Sequence, residues 1–239
     1  MVQRAWVGKS SNNAGEKAMS EQDRPFWRKA SQVFDERAEE YDGWYDDSLL
    51  FAIELAALHD LETELAPPRV ELGVGPGRFA GPLGVTVGID PARAPLLLAT
   101  RRIAGVCQGI GEDLPLRPGA IGTLFVLFTL CFTHRPARVL AQAAQALRPG
   151  GHLVVGLIPG SGPWGQALQA KKRAGHPFYR HATFYEVGGV EAWLAAAGLQ
   201  VVERRSSLYQ PPERLAVMEG SRPGWQALAG FVILVARKG

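Results

Sequence analysis

The 239 residues are 46% hydrophobic and 21% charged, with a net charge of +3. That is enough apolar surface for one α/β domain with a small extra lobe, and it does not suggest two equal domains. A pI near 9.0 permits nucleic-acid binding without demanding it, because the arginines are scattered and form no dense patch. Cys107 and Cys131 lie twenty-four residues apart with no C-x-x-C partner, which disfavours a disulfide framework or a zinc site and makes a reducing cytosol the default.

Residues 1–20 read as a disordered tail, polar and without period, and Met19-Ser20-Glu21 would make a natural start. No charged-then-apolar signal peptide opens the chain. The longest apolar stretch, Leu124 to Phe132, is far short of the ~20 residues that a spanning helix needs. A soluble cytoplasmic protein is expected, with no membrane partner.

Residues 21–239 read as one domain. Phe26, Ala30, Val33, Phe34, Ala38 and Tyr41 recur at three or four residues, marking one amphipathic helix. The stretch from Tyr41 to Ser48 breaks it. Ser48 then caps a helix carrying Leu49, Ile53, Ala57 and Leu61, which Pro67-Pro68 should end. Next comes a strand, Val70-Glu71-Leu72, that delivers the chain into Gly73-Val74-Gly75-Pro76-Gly77-Arg78-Phe79. Glycines at such a turn let the backbone bend sharply and bring a ligand close to the main chain. Counted from Gly73, a G-x-G-x-x-G dinucleotide loop would place its third glycine at Arg78, so the stretch reads first as a nucleoside cradle and second as a pyrophosphate site.

Val85 to Asp90 is the second strand, with Pro91 in the first turn of the helix that follows and ends near Arg101-Arg102. Ile103 to Gln108 is the third strand and leads into Gly111-Glu112-Asp113-Leu114-Pro115-Leu116. The fourth, Thr123 to Thr129, is apolar on both faces, as a central parallel strand should be. A helix with Val139, Leu140, Ala143, Ala144 and Leu147 turns at Pro149-Gly150-Gly151 into the fifth strand, His152 to Ile158. This alternation predicts a parallel sheet with right-handed crossovers. Residues 160–185 then interrupt it as an inserted lobe, with a short helix around Trp164 to Arg173 and the aromatics Phe178, Tyr179, Phe184 and Tyr185. A helix from Val187 stops at Gly198, and two strands, Leu199 to Tyr209 and Gly230 to Arg237, flank a proline-containing loop.

These motifs, in this order, resemble a class I S-adenosylmethionine (SAM)-dependent methyltransferase from about Phe34 to the end. Glu71-Leu72-Gly73-Val74-Gly75-Pro76-Gly77 resembles the first SAM motif, and Asp90 stands where an acid ends the second strand. Gly111 to Leu116 resembles the A-E-D-L-P-F loop, and Leu147-Arg148-Pro149-Gly150-Gly151-His152-Leu153 the L-K-P-G-G-x-L turn. The closest likeness is to the type 11 family, the quinone-biosynthesis-like small-molecule methyltransferases.

The resemblance implies a Rossmann-like, mostly parallel sheet of seven strands in the order 3-2-1-4-5-7-6, the last strand antiparallel, flanked by helices. It implies residues 21–66 as an N-terminal helical lid, SAM as cofactor with S-adenosylhomocysteine as product, and no metal. It also implies cofactor contacts at Glu71, Gly73, Gly75, Gly77, Asp90, Pro91, Gly111, Glu112, Asp113 and Thr129, with Tyr41, Trp44 and Tyr45 closing as a lid. The residues agree in part on their own terms. Asp90 follows Gly73 by seventeen positions, a spacing that can set a carboxylate on ribose hydroxyls, although Asp90 could equally be a plain helix N-cap. The family's adenine-bonding side chain corresponds here to Ile110, which offers packing only.

No base stands out in the sequence. His134, just beyond the fourth strand, is the one weak candidate. The small-molecule methyltransferase reading stands beside two others: an RNA or protein methyltransferase, suggested by the pI and by Arg101-Arg102 and Arg204-Arg205, and a non-catalytic SAM- or nucleotide-binding regulator. No (D/N/S)-P-P-(Y/F/W) stretch follows the fourth strand, and Leu130 precedes Cys131, which disfavours amino-directed and cytosine-C5 DNA methylation. A small-molecule acceptor is the expected partner, nucleic acid is disfavoured, and a monomer or homodimer is expected.

Overall fold

The computed structural model describes residues 25–239, so the tail reading of residues 1–20 and the first four residues of the 21–66 segment lie outside the described residues. One sheet organises the rest. Its strands are β1 (Arg69–Leu72), β2 (Val87–Asp90), β3 (Gly105–Gln108), β4 (Ile121–Leu127), β5 (Leu147–Leu157), β6 (Leu199–Ser207), β7 (Arg222–Pro223) and β8 (Phe231–Lys238). The order is β3-β2-β1-β4-β5-β8-β6-β7. The first five strands pair in parallel, and β8 runs antiparallel between β5 and β6.

With β7 set aside, the order is the expected one and β8 is the antiparallel seventh strand. The eighth is an addition: two residues of the proline-containing loop pair with Arg205 and Ser206 at the sheet edge. A two-residue strand has no periodicity to read.

β4 is buried at every position. Its successive side chains point to opposite faces, and two cores grow from that alternation. Leu124 and Val126 join Val139, Leu140, Val190 and Leu194 on one face. Phe125 and Leu127 join Ile53, Ala57, Leu96 and Ala99 on the other. The helices supplying those layers are α1 (Phe26–Glu36), α2 (Ala38–Gly43), α3 (Leu49–His59), α4 (Arg93–Ala99), α5 (Pro136–Ala146), α6 (Pro163–Arg173) and α7 (Val187–Ala196).

Several boundaries differ from expectation. The fifth strand starts at Leu147, not His152, so the expected turn at Pro149-Gly150-Gly151 lies within β5, and the fourth strand runs from Ile121 to Leu127, stopping short of Thr129. The single helix expected from Phe26 to Tyr41 is broken at Arg37 (φ −129°, ψ 37°), and α2 turns to bring Asp42 against Arg78 and Arg102. The Ser48 hydroxyl caps α3, accepting from the Phe51 N–H at 3.2 Å. That helix ends at His59, well before Pro67-Pro68, because the following segment is tethered elsewhere: the Glu203 carboxylate accepts the N–H groups of Glu62 (3.0 Å) and Thr63 (2.9 Å). Pro91 precedes α4 and does not lie in its first turn, since Ala92 is the N-cap residue.

Candidate functional site

The carboxyl ends of β1, β2 and β4 meet at one mouth of the sheet, where open α/β folds hold their ligands. Leaving β1, the chain turns through Gly73 (φ +73°) and Gly75 (φ +50°). A Cβ on Gly73 would also collide with the Thr129 hydroxyl. The loop is pinned to β2 by the N–H of Gly73, which donates to the Ile89 carbonyl at 2.7 Å. Asp90 completes the tie, with Oδ2 accepting from the Gly75 N–H (2.9 Å) and Oδ1 from the Ala92 N–H (2.8 Å). Burial pushes the Asp90 carboxyl up to about 6, against the lowering effect of those two N–H donors.

A cleft opens over this loop. Glu71, Gly73, Gly75, Asp90, Pro91, Gly111, Glu112, Thr129, Tyr41 and Tyr45 all line it. Glu71 is 3% exposed and its Oε2 has no hydrogen-bond partner. Burial first, and the nearby Asp90 charge second, hold its carboxyl well above the usual carboxylate range. Thr129 Oγ1 lies 2.8 Å from the Leu127 carbonyl and 3.2 Å from that of Leu72, bracing the ends of β4 and β1.

The remaining sequence-predicted residues lie elsewhere. Gly77 (φ +80°) shapes the loop without lining the cleft. Asp113 is exposed and bridges Ile110. The Glu112 carboxylate faces away toward α5, accepting the N–H groups of His134 (2.9 Å) and Arg135 (3.3 Å). His134 is exposed, packs its ring 5.3 Å from that of Phe26, and lines neither cavity.

A second cavity adjoins the first. Phe34, Tyr41, Tyr45, Phe79, Phe128 and Phe132 line both and so form the partition. Trp44 lines the second alone, its ring 4.6 Å from that of Phe178 in the 160–185 segment. The Tyr45 hydroxyl donates to that of Tyr41 at 2.9 Å. The helical cover over both cavities is held by charge: Asp42 accepts from Arg78 (2.6 Å) and Arg102 (3.0 Å), and Arg102 also donates to the Pro76 carbonyl at 2.7 Å. Burial would raise the Asp42 carboxyl, but its bonds to Arg78 and Arg102 outweigh that and hold it below the ordinary value.

Two features escaped the reading of the sequence. The Asp42–Arg78–Arg102 cluster joins residues up to sixty positions apart. Glu54 lines the second cavity, and burial pushes its carboxyl up to about 8. Its signal was present in the sequence as a single acid in the otherwise apolar run Leu49 to Leu58.

The parallel sheet, the glycine turn and the acid ending β2 define a nucleoside-cofactor-binding α/β protein. The comparisons narrow that class: a methyltransferase-domain model of type 11 matches residues 70–155, and the chain belongs to the class I SAM-dependent methyltransferase family. It is 40% identical over 211 residues to an uncharacterised protein of Mycobacterium tuberculosis, covering 87% of this chain and 74% of that one. It is 29% identical to an uncharacterised protein of Methanocaldococcus jannaschii, covering 86% and 98%. Among solved structures it is similar to a Thermotoga maritima SAM-dependent methyltransferase described as a candidate histamine N-methyltransferase. That match has 28% identity and a TM-score of 0.81, covering 88% of this chain and 100% of that one.

Proposed function

We propose that the chain transfers a methyl group from SAM to a small-molecule acceptor held in the second cavity. The observation that carries this reading is the adjacency of two unlike cavities, one edged by the glycine loop and two carboxyls, the other walled by aromatic rings. The unpartnered Glu71 Oε2 fits the ammonium of the methionine end, because a buried acceptor calls for a donor. Bare backbone at Gly73 and Gly75 admits close approach. Asp90 beside Pro91 suits the ribose hydroxyls. The main chain of Gly111 and Glu112 suits the adenine edge, with Ile110 packing against it. Asp113 and Gly77 would contribute through loop shape alone.

The bound cofactor supplies an electrophilic methyl carbon on a sulfonium. The chain supplies alignment and water exclusion, the main requirements of an in-line displacement. Tyr41 and Tyr45, held over the loop by Asp42, act as the lid, with Trp44 on the side of the second cavity, the helices of residues 25–66 as the frame and the 160–185 lobe as the opposite wall. Among the described residues no group of three or more His, Cys, Asp or Glu could hold a metal ion, and the proposed transfer calls for none. No helix of the described residues is long and apolar enough to cross a membrane.

A walled aromatic cavity fits a compact acceptor better than a polymer strand, which would need a basic groove. The description of the Thermotoga neighbour as a candidate histamine N-methyltransferase agrees with that acceptor class. Incubation with methyl-tritiated SAM tests the reading against a small-molecule panel, total RNA and total protein. Label is expected in the small-molecule fraction, and label confined to RNA or protein would overturn the acceptor class.

A further inference from the structure

Glu54 is the one charged residue between Leu49 and Leu58. Its side chain is 6% exposed and lines the second cavity. Burial is the sole influence on its carboxyl, with no neighbouring charge or hydrogen bond to offset it. Among the described residues no Lys, Arg or His lines that cavity, and no other carboxyl does. The rest of the wall is mostly aromatic, including Phe34, Trp44, Phe178 and Phe184. An unpartnered buried carboxyl is costly, and a leucine or glutamine at this place would avoid most of that cost. A ligand carrying a cation would supply the missing partner, and aromatic faces attract the same charge.

We propose that Glu54 anchors the methyl acceptor and that the acceptor is an amine, its nitrogen seated between the Glu54 carboxylate and the aromatic wall of the second cavity. This rests on the methyltransferase reading above and deepens it by naming the acceptor class. An amine reaches the cavity as an ammonium, which has no lone pair to offer. Glu54 takes the proton: an N–H bond breaks, an O–H bond forms on the carboxylate, and the electron pair stays on nitrogen as the nucleophile. A paired ammonium offsets the burial that raises this carboxyl, so Glu54 is charged while the amine waits and takes the proton as the nitrogen turns to the methyl carbon, releasing it later to solvent. The other titratable groups lining the cavity are the phenols of Tyr41, Tyr45, Tyr179 and Tyr185 and the Cys131 thiol. Burial raises all of them, so they stay neutral and leave Glu54 as the group that changes charge.

Wild type and Glu54→Gln, each saturated with S-adenosylhomocysteine, should be titrated by calorimetry at pH 8 with matched pairs: benzylamine and benzyl alcohol, phenethylamine and phenylethanol, cyclohexylamine and cyclohexanol. Wild type should bind the best amine at least about tenfold tighter than its alcohol. Infrared difference spectra should show the Glu54 carboxyl losing its protonated C=O band as the amine binds. Both signals should vanish in Glu54→Gln, while S-adenosylhomocysteine affinity stays within about twofold. Absence of any amine preference in wild type, or its survival in Glu54→Gln, would overturn the proposal. Failure of S-adenosylhomocysteine to bind wild type would instead overturn the cofactor reading, and this proposal with it.

Discussion

Both carboxylate oxygens of Asp90 accept backbone N–H groups, from Gly75 and Ala92, and each keeps a lone pair for the cleft. Asp90→Asn turns one acceptor into an NH₂ donor facing an N–H, loosening the loop and, on the proposed reading, losing a ribose partner together. Affinity for S-adenosylhomocysteine should fall about tenfold to a hundredfold by calorimetry. In wild type that affinity should rise with pH through about 6, as the raised Asp90 carboxyl ionises and can accept from two hydroxyls. Glu54 makes the opposite demand on stability. Its folded value of about 8 lies above the ordinary 4.5, so below pH 4.5 both states are protonated and no cost arises. Between those values the unfolded chain ionises first, and folding loses about 1.4 kcal/mol per pH unit. Thermal melts should therefore show Glu54→Gln gaining on wild type from pH 5 to pH 8 and holding a constant lead above it.

At the scale of elements, α2 is fastened to the glycine loop through Asp42, which is 7% exposed. Asp42→Ala leaves Arg78 and Arg102 facing each other without their shared partner, and should cost about 2–4 kcal/mol. The loss should appear as faster proteolysis within residues 26–48, while the sheet's amides keep their slow hydrogen exchange. The Asp42 carboxyl is held below its ordinary value, so this tether is intact above that value and fails as pH falls through the depressed one. Elements whose causes are local were legible in the sequence. The Ser48 cap, the glycine turn after β1 and the apolar β4 each carry their reason within a few residues. The break at Arg37, the early end of α3 and the two-residue β7 did not, because Arg78, Glu203 and Arg205 decide them from far along the chain.

For the molecule as a whole, the order of motifs was enough to predict seven of the eight strands. The floor of the first cleft follows from that sheet because Glu71, Gly73, Asp90 and Thr129 stand at strand ends, while Phe34, Tyr41 and Tyr45 close it from the N-terminal segment. The second cavity is different. Its wall draws on α3, the β4 exit and the 160–185 segment, so no stretch of sequence describes it, and Glu54 reads as an anomaly until those elements meet. β4, buried on both faces, stands between the two cores. Calorimetric titration of wild type with S-adenosylhomocysteine, SAM and NAD tests the cofactor assignment directly. A single site that binds both sulfur nucleosides in the micromolar range or tighter, with no detectable NAD binding, is the predicted result. Preference for NAD, or no heat with either sulfur nucleoside, would contradict it.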